Sequence, residues 1–191
     1  MTIFLASRSP RRQQLLKQIG VEFETVDVDI NEEWDGIEHA LRHVERLSLE
    51  KARAGKAKIN PDAGCAVLGA DTAVVLDDRI LGKALTEEDA RQMLQSLSGR
   101  MHHVYTVVTL IAAGEEKTRT SISRVCFRPM TAAEIESYCR TGEPIGKAGA
   151  YAIQGRAAAF IERLEGSYSG VMGLPLYETA NLLRSAGYSV R

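Results

Sequence analysis

The sequence predicts an α/β domain built on a mixed sheet. Three observations carry that expectation. Strand-like and helix-like segments alternate through the first hundred or so residues. Two long runs rich in β-branched residues, His102 to Ala113 and Thr118 to Arg128, follow one another across a short turn. A chain of 191 residues that is 45% hydrophobic can also fill a core of its own.

Thr2 to Ala6 reads as a short buried strand. Ser9 offers a side-chain oxygen as N-cap, and Pro10 suits the first helical position, where no N–H bond is needed. Leu15, Leu16 and Ile19 give the helix an apolar face, and Gly20 stops it. A strand feeding a helix start aims free N–H groups and the positive dipole end at one spot, and Arg11 and Arg12 add two charges there. The predicted guest is a polyanion.

Phe23 to Ile30 alternates apolar and polar residues and reads as a strand with one wet face. Asn31 to Gly36 is a loop. Ile37 to Lys58 follows as a long amphipathic helix with Lys51 in its later half, ended by Pro61, Asp62 and Gly64. Cys65 to Leu76 is the most apolar strand, interrupted at Gly69-Ala70-Asp71-Thr72, and a carboxylate in such a run is costly without a partner. Asp77-Asp78 turns the chain into a short strand, Arg79 to Gly82, before Lys83.

Thr86-x-x-Asp89 opens a helix with Ala90, Met93, Leu94 and Leu97 inward, ending at Ser98-Gly99. The two long strands then pair around Gly114-Glu115-Glu116. Thr131-x-x-Glu134 is a capping box for a helix that runs to Gly142. Gly146 to Gly155 is a loop with too many small residues to be mere core. Ala157 to Leu164 reads as a strand, Gly166 to Gly173 as a glycine-rich turn, and Pro175 starts the last helix.

Bulk properties exclude several classes of function. A formal net charge of −1 leaves no global field for a nucleic-acid backbone or an anionic membrane, so any anion site is local. Three widely spaced cysteines, with no C-x-x-C pair and no His cluster, predict buried thiols in a reducing compartment and no zinc site. With no charged leader and no run of eighteen apolar residues, the expectation is a soluble cytoplasmic protein. Neither a P-loop nor a Gly-x-Gly-x-x-Gly motif is present. Ser7 and Ser9 lack a nucleophile elbow or a His–acid pair, and of His102 and His103 at most one can face a cleft.

The remaining charges form two sets, acids (Glu32, Asp71) and bases (Arg11, Arg12, Lys51, Lys83, Lys147). A nucleoside triphosphate with a divalent cation needs both: carboxylates suit Mg²⁺ or Mn²⁺, and Arg and Lys neutralise phosphate oxygens. Asp71, set in an apolar strand, has the strongest functional claim of these.

Taken together, Ser7-x-Ser9-Pro10-Arg11-Arg12, Glu32, Lys51-Ala52, Gly69-Ala70-Asp71-Thr72, Gly82-Lys83, Ser98-Gly99 with His102 and Thr106, Lys147 to Gly155 and Gly173-Leu174-Pro175 resemble the Maf family of nucleotide pyrophosphatases. The match runs from the first strand to the last helix. It implies a two-lobed α/β fold like that of the inosine triphosphate pyrophosphatases, formed by residues 1–191 as one domain, with substrate in the cleft between lobes. It also implies metal-assisted hydrolysis of a nucleoside triphosphate to the monophosphate and pyrophosphate.

In that resemblance Asp71 matches the proton acceptor and, with Glu32, the metal-associated acids. Arg11, Arg12, Lys51 and Lys83 match phosphate and substrate contacts, with Ser7 in the same anion corner. Arg12, Thr72 and Gln154 resemble the subgroup acting on dTTP and UTP, and a Gln154 amide can both donate to and accept from a pyrimidine edge. Gly146 departs from the family pattern, where many members carry Asp before the lysine. A nucleotide-binding regulator of cell division without turnover is the rival reading, and a homodimer is left open.

Overall fold

The computed structural model describes residues 2–59 and 64–190. Seven strands form one mixed sheet, ordered β2-β1-β3-β5-β6-β7, with β4 also paired to β3. Their ranges are β1 Ile3–Leu5, β2 Glu24–Thr25, β3 Ala66–Leu76, β4 Arg79–Leu81, β5 Met101–Ala112, β6 Glu115–Phe127 and β7 Ile161–Glu165. The helices are α1 Pro10–Gln18, α2 Ala40–Lys58, α3 Glu87–Leu97, α4 Ala132–Cys139, α5 Tyr168–Met172 and α6 Leu176–Ser185. The α/β class and mixed sheet expected from the sequence are what the structure shows.

One detail of the pairing makes the site. β5 lies antiparallel along β3 from Val67 to Val75 and occupies one of its edges. On the other edge, β1 runs parallel to Ala66–Leu68, whereas β4 runs antiparallel to Val74–Leu76. Ala6 N–H still reaches the Leu68 carbonyl at 2.8 Å, and beyond it the edge has no strand partner among the described residues until β4 begins. The sheet therefore splits beside Ala70 to Ala73, at the middle of its most buried strand. The chain leaving β1 and the chain leaving β4 flank that split.

The core divides at the same place. Because alternate strand residues share a face, Ala66, Leu68 and Ala70 join Leu5, Leu15, Leu16, Val108 and Leu182 in one apolar cluster. Val74 and Leu76 join Leu94, Val104, Val125, Phe127 and Ile135 in another. Between them on that face stand Thr72 and its cross-strand partner Thr106. On the opposite face α2 packs through Ala40 and Val44 onto Ala73, Val75 and Val107.

Several elements differ from expectation for identifiable reasons. The Phe23–Ile30 strand shrinks to two residues, because its neighbour β1 is only three residues long. Ser9 is the N-cap of α1 but makes no side-chain cap bond; its N–H donates to Ser7 Oγ at 3.2 Å. α2 begins at Ala40 rather than Ile37, capped by His39 Nδ1 accepting from Leu41 N–H at 3.3 Å. The Ala157–Leu164 strand divides into a 3₁₀ turn, Arg156–Phe160, and β7. Three consecutive alanines give that turn little β preference, and pairing to β6 resumes only at Ile161, beside a bulge at Cys126/Phe127.

The glycine-rich turn at 166–173 contains the five-residue α5, capped by Ser167 Oγ accepting from Gly170 N–H at 3.0 Å. The β5–β6 turn sits at Ala113-Gly114, one residue earlier than read. Both capping boxes, Thr86/Asp89 and Thr131/Glu134, form as expected. The Asp77-Asp78 turn forms with positive φ at both residues, the geometry of a two-residue hairpin. Cys65 and Cys139 are buried, but Cys126 is only half-buried. Pro61 and Asp62 lie outside the described residues.

Candidate active site

Asp71 and Lys51 meet across the helix–sheet contact. Lys51 is 7% exposed and Asp71 9%, and Lys51 Nζ lies 2.7 Å from Asp71 Oδ1. The same nitrogen lies 2.6 Å from Glu32 Oε1, and Lys83 Nζ lies 3.1 Å from Glu32 Oε2. The order Lys83–Glu32–Lys51–Asp71 alternates in sign and runs from exposed groups, Lys83 and Glu32, to the buried pair Lys51–Asp71, whose charges need each other. Burial pushes the Glu32 carboxyl up, but the hydrogen bonds and charges of Lys51 and Lys83 outweigh it and hold the group at about 2.

Local structure fixes each member. Gly69 lets α2 approach: an added Cβ there would stand 2.3 Å from the Ser48 carbonyl oxygen and 2.5 Å from Ala52 N. Ser48 Oγ donates to the Gly69 carbonyl at 3.2 Å, one turn before Lys51. The loop carrying Glu32 is tied to α2 through Glu38. Its carbonyl accepts from Trp34 Nε1–H at 2.7 Å, and its carboxylate accepts from Arg46 Nη2 at 2.9 Å. Lys83 follows β4 and pairs with Ala148 in an isolated antiparallel bridge.

The arginine pair stands on the β1 side of the split. Arg12 Nε donates to the Gly173 carbonyl at 2.7 Å, Nη1 to Ser7 Oγ at 3.3 Å and Nη2 to Thr72 Oγ1 at 3.3 Å. Three donors are thus used of the five that a guanidinium carries, leaving two for a guest. Burial lowers the Arg12 pKa, the charges of Asp71 and Glu32 raise it, and Arg11 lowers it again. Arg12 therefore stands within electrostatic reach of both acids and touches the residue next to Asp71. Thr106 Oγ1 donates to the Gly170 carbonyl at 2.8 Å and lies 3.1 Å from Thr72 Oγ1, so the glycine-rich turn is moored to the sheet at this point.

Arg11 makes no hydrogen bond to another described side chain, and burial lowers its pKa. Lys147 is depressed by burial and then by Arg11's charge, which puts those two cations in one neighbourhood. Gln154 is exposed on the turn before the 3₁₀ segment, with no hydrogen bond among the described residues.

Contacts therefore link Lys83, Glu32, Lys51 and Asp71 in one set and Ser7, Arg12 and Thr72 in another, and the two sets meet at the Asp71–Thr72 peptide and through the charges that act on Arg12. Arg11 joins them through its charge on Arg12 and Lys147, and Gln154 makes no hydrogen bond to any of them. Lys51, read from the sequence among the phosphate contacts, binds both acids in this structure. His102 is a core group: its Nε2 lies 2.9 Å from Tyr151 Oη, and burial, then the nearby His103, lowers its pKa to about 4. Two surface grooves, of about 380 and 390 Å³, are lined by other residues and hold none of these charges.

The sequence reading missed the Trp34–Glu38–Arg46 tie and the carbonyls of Gly170 and Gly173. Backbone acceptors leave no mark in a residue string, although Gly170 and Gly173 bracket a turn rich in glycine.

Among the described residues no group of three or more His, Cys, Asp or Glu could hold a metal ion. The donors on hand are two hard carboxylates whose oxygens lie within 2.7 Å of a single nitrogen. Such a pair suits a cation that takes most of its ligands from phosphate and water, as Mg²⁺ does. No helix among the described residues is long and apolar enough to cross a membrane.

Residues 2–186 match the family model described as Maf-like protein. A relative from Aromatoleum aromaticum named dTTP/UTP pyrophosphatase is 51% identical over 197 residues, covering 97% of this chain and 96% of its own. Another of that name, from Alkalilimnicola ehrlichii, is 53% identical over 184 residues, covering 95% and 91%. Among solved structures, the Staphylococcus aureus Ham1 protein aligns with a TM-score of 0.48 at 15% identity, covering 84% of this chain and 91% of that one.

Proposed function

The chain belongs to the Maf-like family, and from that premise we propose that it hydrolyses dTTP and UTP to the monophosphate and pyrophosphate. The observation that carries this reading is the split of the sheet beside Asp71. It brings a buried carboxylate, the Arg12 fork and the Lys83–Glu32–Lys51 chain to one gap. The chain would work as one domain whose two apolar cores form the walls of that gap.

In this reading Lys51 holds Asp71 by Oδ1, and the other oxygen, Oδ2, orients and deprotonates the attacking water. The two unused donors of Arg12, with Arg11 and Lys83, bind phosphate oxygens and offset the charge that builds on departing pyrophosphate. Ser7 and Thr72 keep the Arg12 fork in plane, and the Gln154 amide reads the pyrimidine edge. Glu32 and Asp71 would hold the divalent cation, Mg²⁺ or Mn²⁺, which when bound supplies Lewis-acid polarisation of the phosphates.

A net charge near zero supports a free nucleotide over a nucleic acid as partner. A panel of triphosphates assayed for pyrophosphate and orthophosphate tests the proposal. It expects pyrophosphate from dTTP and UTP; intact nucleotide recovered after tight binding would favour the regulator without turnover.

A further inference from the structure

The loop that carries Lys147 and Gln154 is closed on itself by one carboxylate that the function above does not use. Glu143 Oε1 accepts from Tyr138 Oη at 2.7 Å, and Oε2 accepts from Arg156 N–H at 3.2 Å. Its own carbonyl oxygen accepts from Lys147 Nζ. Tyr138 Oη in turn accepts from Ala152 N–H at 3.3 Å, so the hydroxyl at the end of α4 binds both arms of the loop.

Gly155 sits flat against the carboxylate: an added Cβ would lie 2.3 Å from Oε1 and 2.5 Å from Oε2. The loop's outer rim is fixed separately, by Gly146 N–H to the Ala84 carbonyl at 2.8 Å and Gly149 N–H to the Gly82 carbonyl at 3.1 Å, on either side of Lys83. Among the described residues, Glu143 is the loop side chain whose hydrogen bonds join the arm that bears Lys147 to the backbone that follows Gln154. Burial pushes the Glu143 carboxyl up, while Tyr138 and the Arg156 and Ala157 N–H groups pull it further down, as befits a carboxylate that stays charged.

We propose that Glu143 is a positioning residue for substrate selection, fixing Gln154 relative to Lys147 through the Tyr138–Glu143–Gly155 clamp. The inference rests on the reading of Gln154 as the residue that meets the base. Glu143 touches no reacting atom in this account, so its loss acts on where the base is held and not on the attack at phosphorus.

Three variants test it, with two readouts. Glu143→Ala removes both acceptors, Glu143→Gln keeps the volume and one acceptor, and Gly155→Ala leaves every polar group in place but drives a methyl into the carboxylate. For dTTP, Glu143→Ala and Gly155→Ala are expected to raise KM about tenfold with kcat within about twofold, as for loosening of a binding element that takes no part in the chemical step. Glu143→Gln should fall between them and the wild type, and the preference for dTTP over GTP should shrink in the same order.

Amide hydrogen exchange of residues 152–157 should rise in all three variants without nucleotide present. A uniform fall in kcat for every substrate with KM unchanged would mean mere loss of folded protein and would overturn the proposal, as would unchanged exchange. If Glu143→Ala does not fold, Glu143→Gln and Gly155→Ala decide. A wild-type protein that fails to turn over dTTP would refute the proposed activity, whereas the exchange measurement still judges the clamp.

Discussion

Replacing Lys51 by methionine perturbs the centre of the charge alternation without opening a large cavity. Its ammonium is the shared partner of Asp71 Oδ1 at 2.7 Å and Glu32 Oε1 at 2.6 Å, and the helix holds it at 7% exposure. Removing one member of a buried pair leaves the other charge uncompensated, which costs about 3 kcal/mol for Asp71. Glu32 moves from an unfolded value of 4.5 to about 2 under two lysines, yet its side chain is 42% exposed. Screening therefore limits the Lys51 share to about 1 kcal/mol.

A loss of about 4 kcal/mol should lower the melting temperature by roughly 8 to 16 °C in a domain of this size. Because the Glu32 carboxyl is depressed on folding, its contribution is complete above pH 4.5 and disappears as pH falls toward 2. The deficit of the variant should accordingly be larger at pH 7 than at pH 3. Urea unfolding of the wild type, Lys51→Met, Asp71→Asn and the double variant supplies the cycle. The double variant should recover about 2 kcal/mol relative to the sum of the singles, since neither charge is then left unpaired. A Lys51→Met stability within about 0.5 kcal/mol of wild type, or strict additivity, would refute the coupling on which this reading depends.

His102, lowered to about 4 chiefly by burial, stays neutral in the folded chain while the unfolded chain takes up a proton below pH 6.5. Wild-type stability should therefore fall by up to about 3 kcal/mol between pH 6.5 and 4, and urea titrations should show that slope vanish in His102→Gln. Gly69→Ala should cost about 3 kcal/mol in the same assay, because the methyl would meet the backbone of α2 and push Lys51 off Asp71. Arg12→Lys keeps the charge but lacks the fork that serves Gly173, Ser7 and Thr72 at once, so KM for dTTP should rise about tenfold or more in steady-state kinetics.

The pattern of apolar residues made the long elements of this fold readable, since β3, β5, β6, α2 and α3 each repeat their apolar residues over ten positions or more. Short elements were read less well, because their existence depends on neighbours. Phe23 to Ile30 alternates like a strand but has only β1 beside it. Asp71 stood out because a carboxylate in the run from Cys65 to Leu76 demands a counter-charge; that the counter-charge is Lys51, 20 residues earlier, follows only from the helix–sheet packing at Gly69. The split of the sheet is likewise a property of pairing on a shared edge, which local sequence does not encode. Glu143 escaped notice for a similar reason: in the string it is one acid between Gly142 and Pro144, and its partners lie in a helix before it and a loop after it.

In the proposed mechanism Asp71 acts on water while the cations hold the phosphates. Pyrophosphate release from dTTP by Asp71→Asn, measured beside calorimetric binding of dTTP to the same protein, tests it most directly. Turnover is expected to fall by about a thousandfold or more with dissociation constants within about tenfold of wild type, as for loss of a general base. Turnover equal to that of the wild type would contradict it.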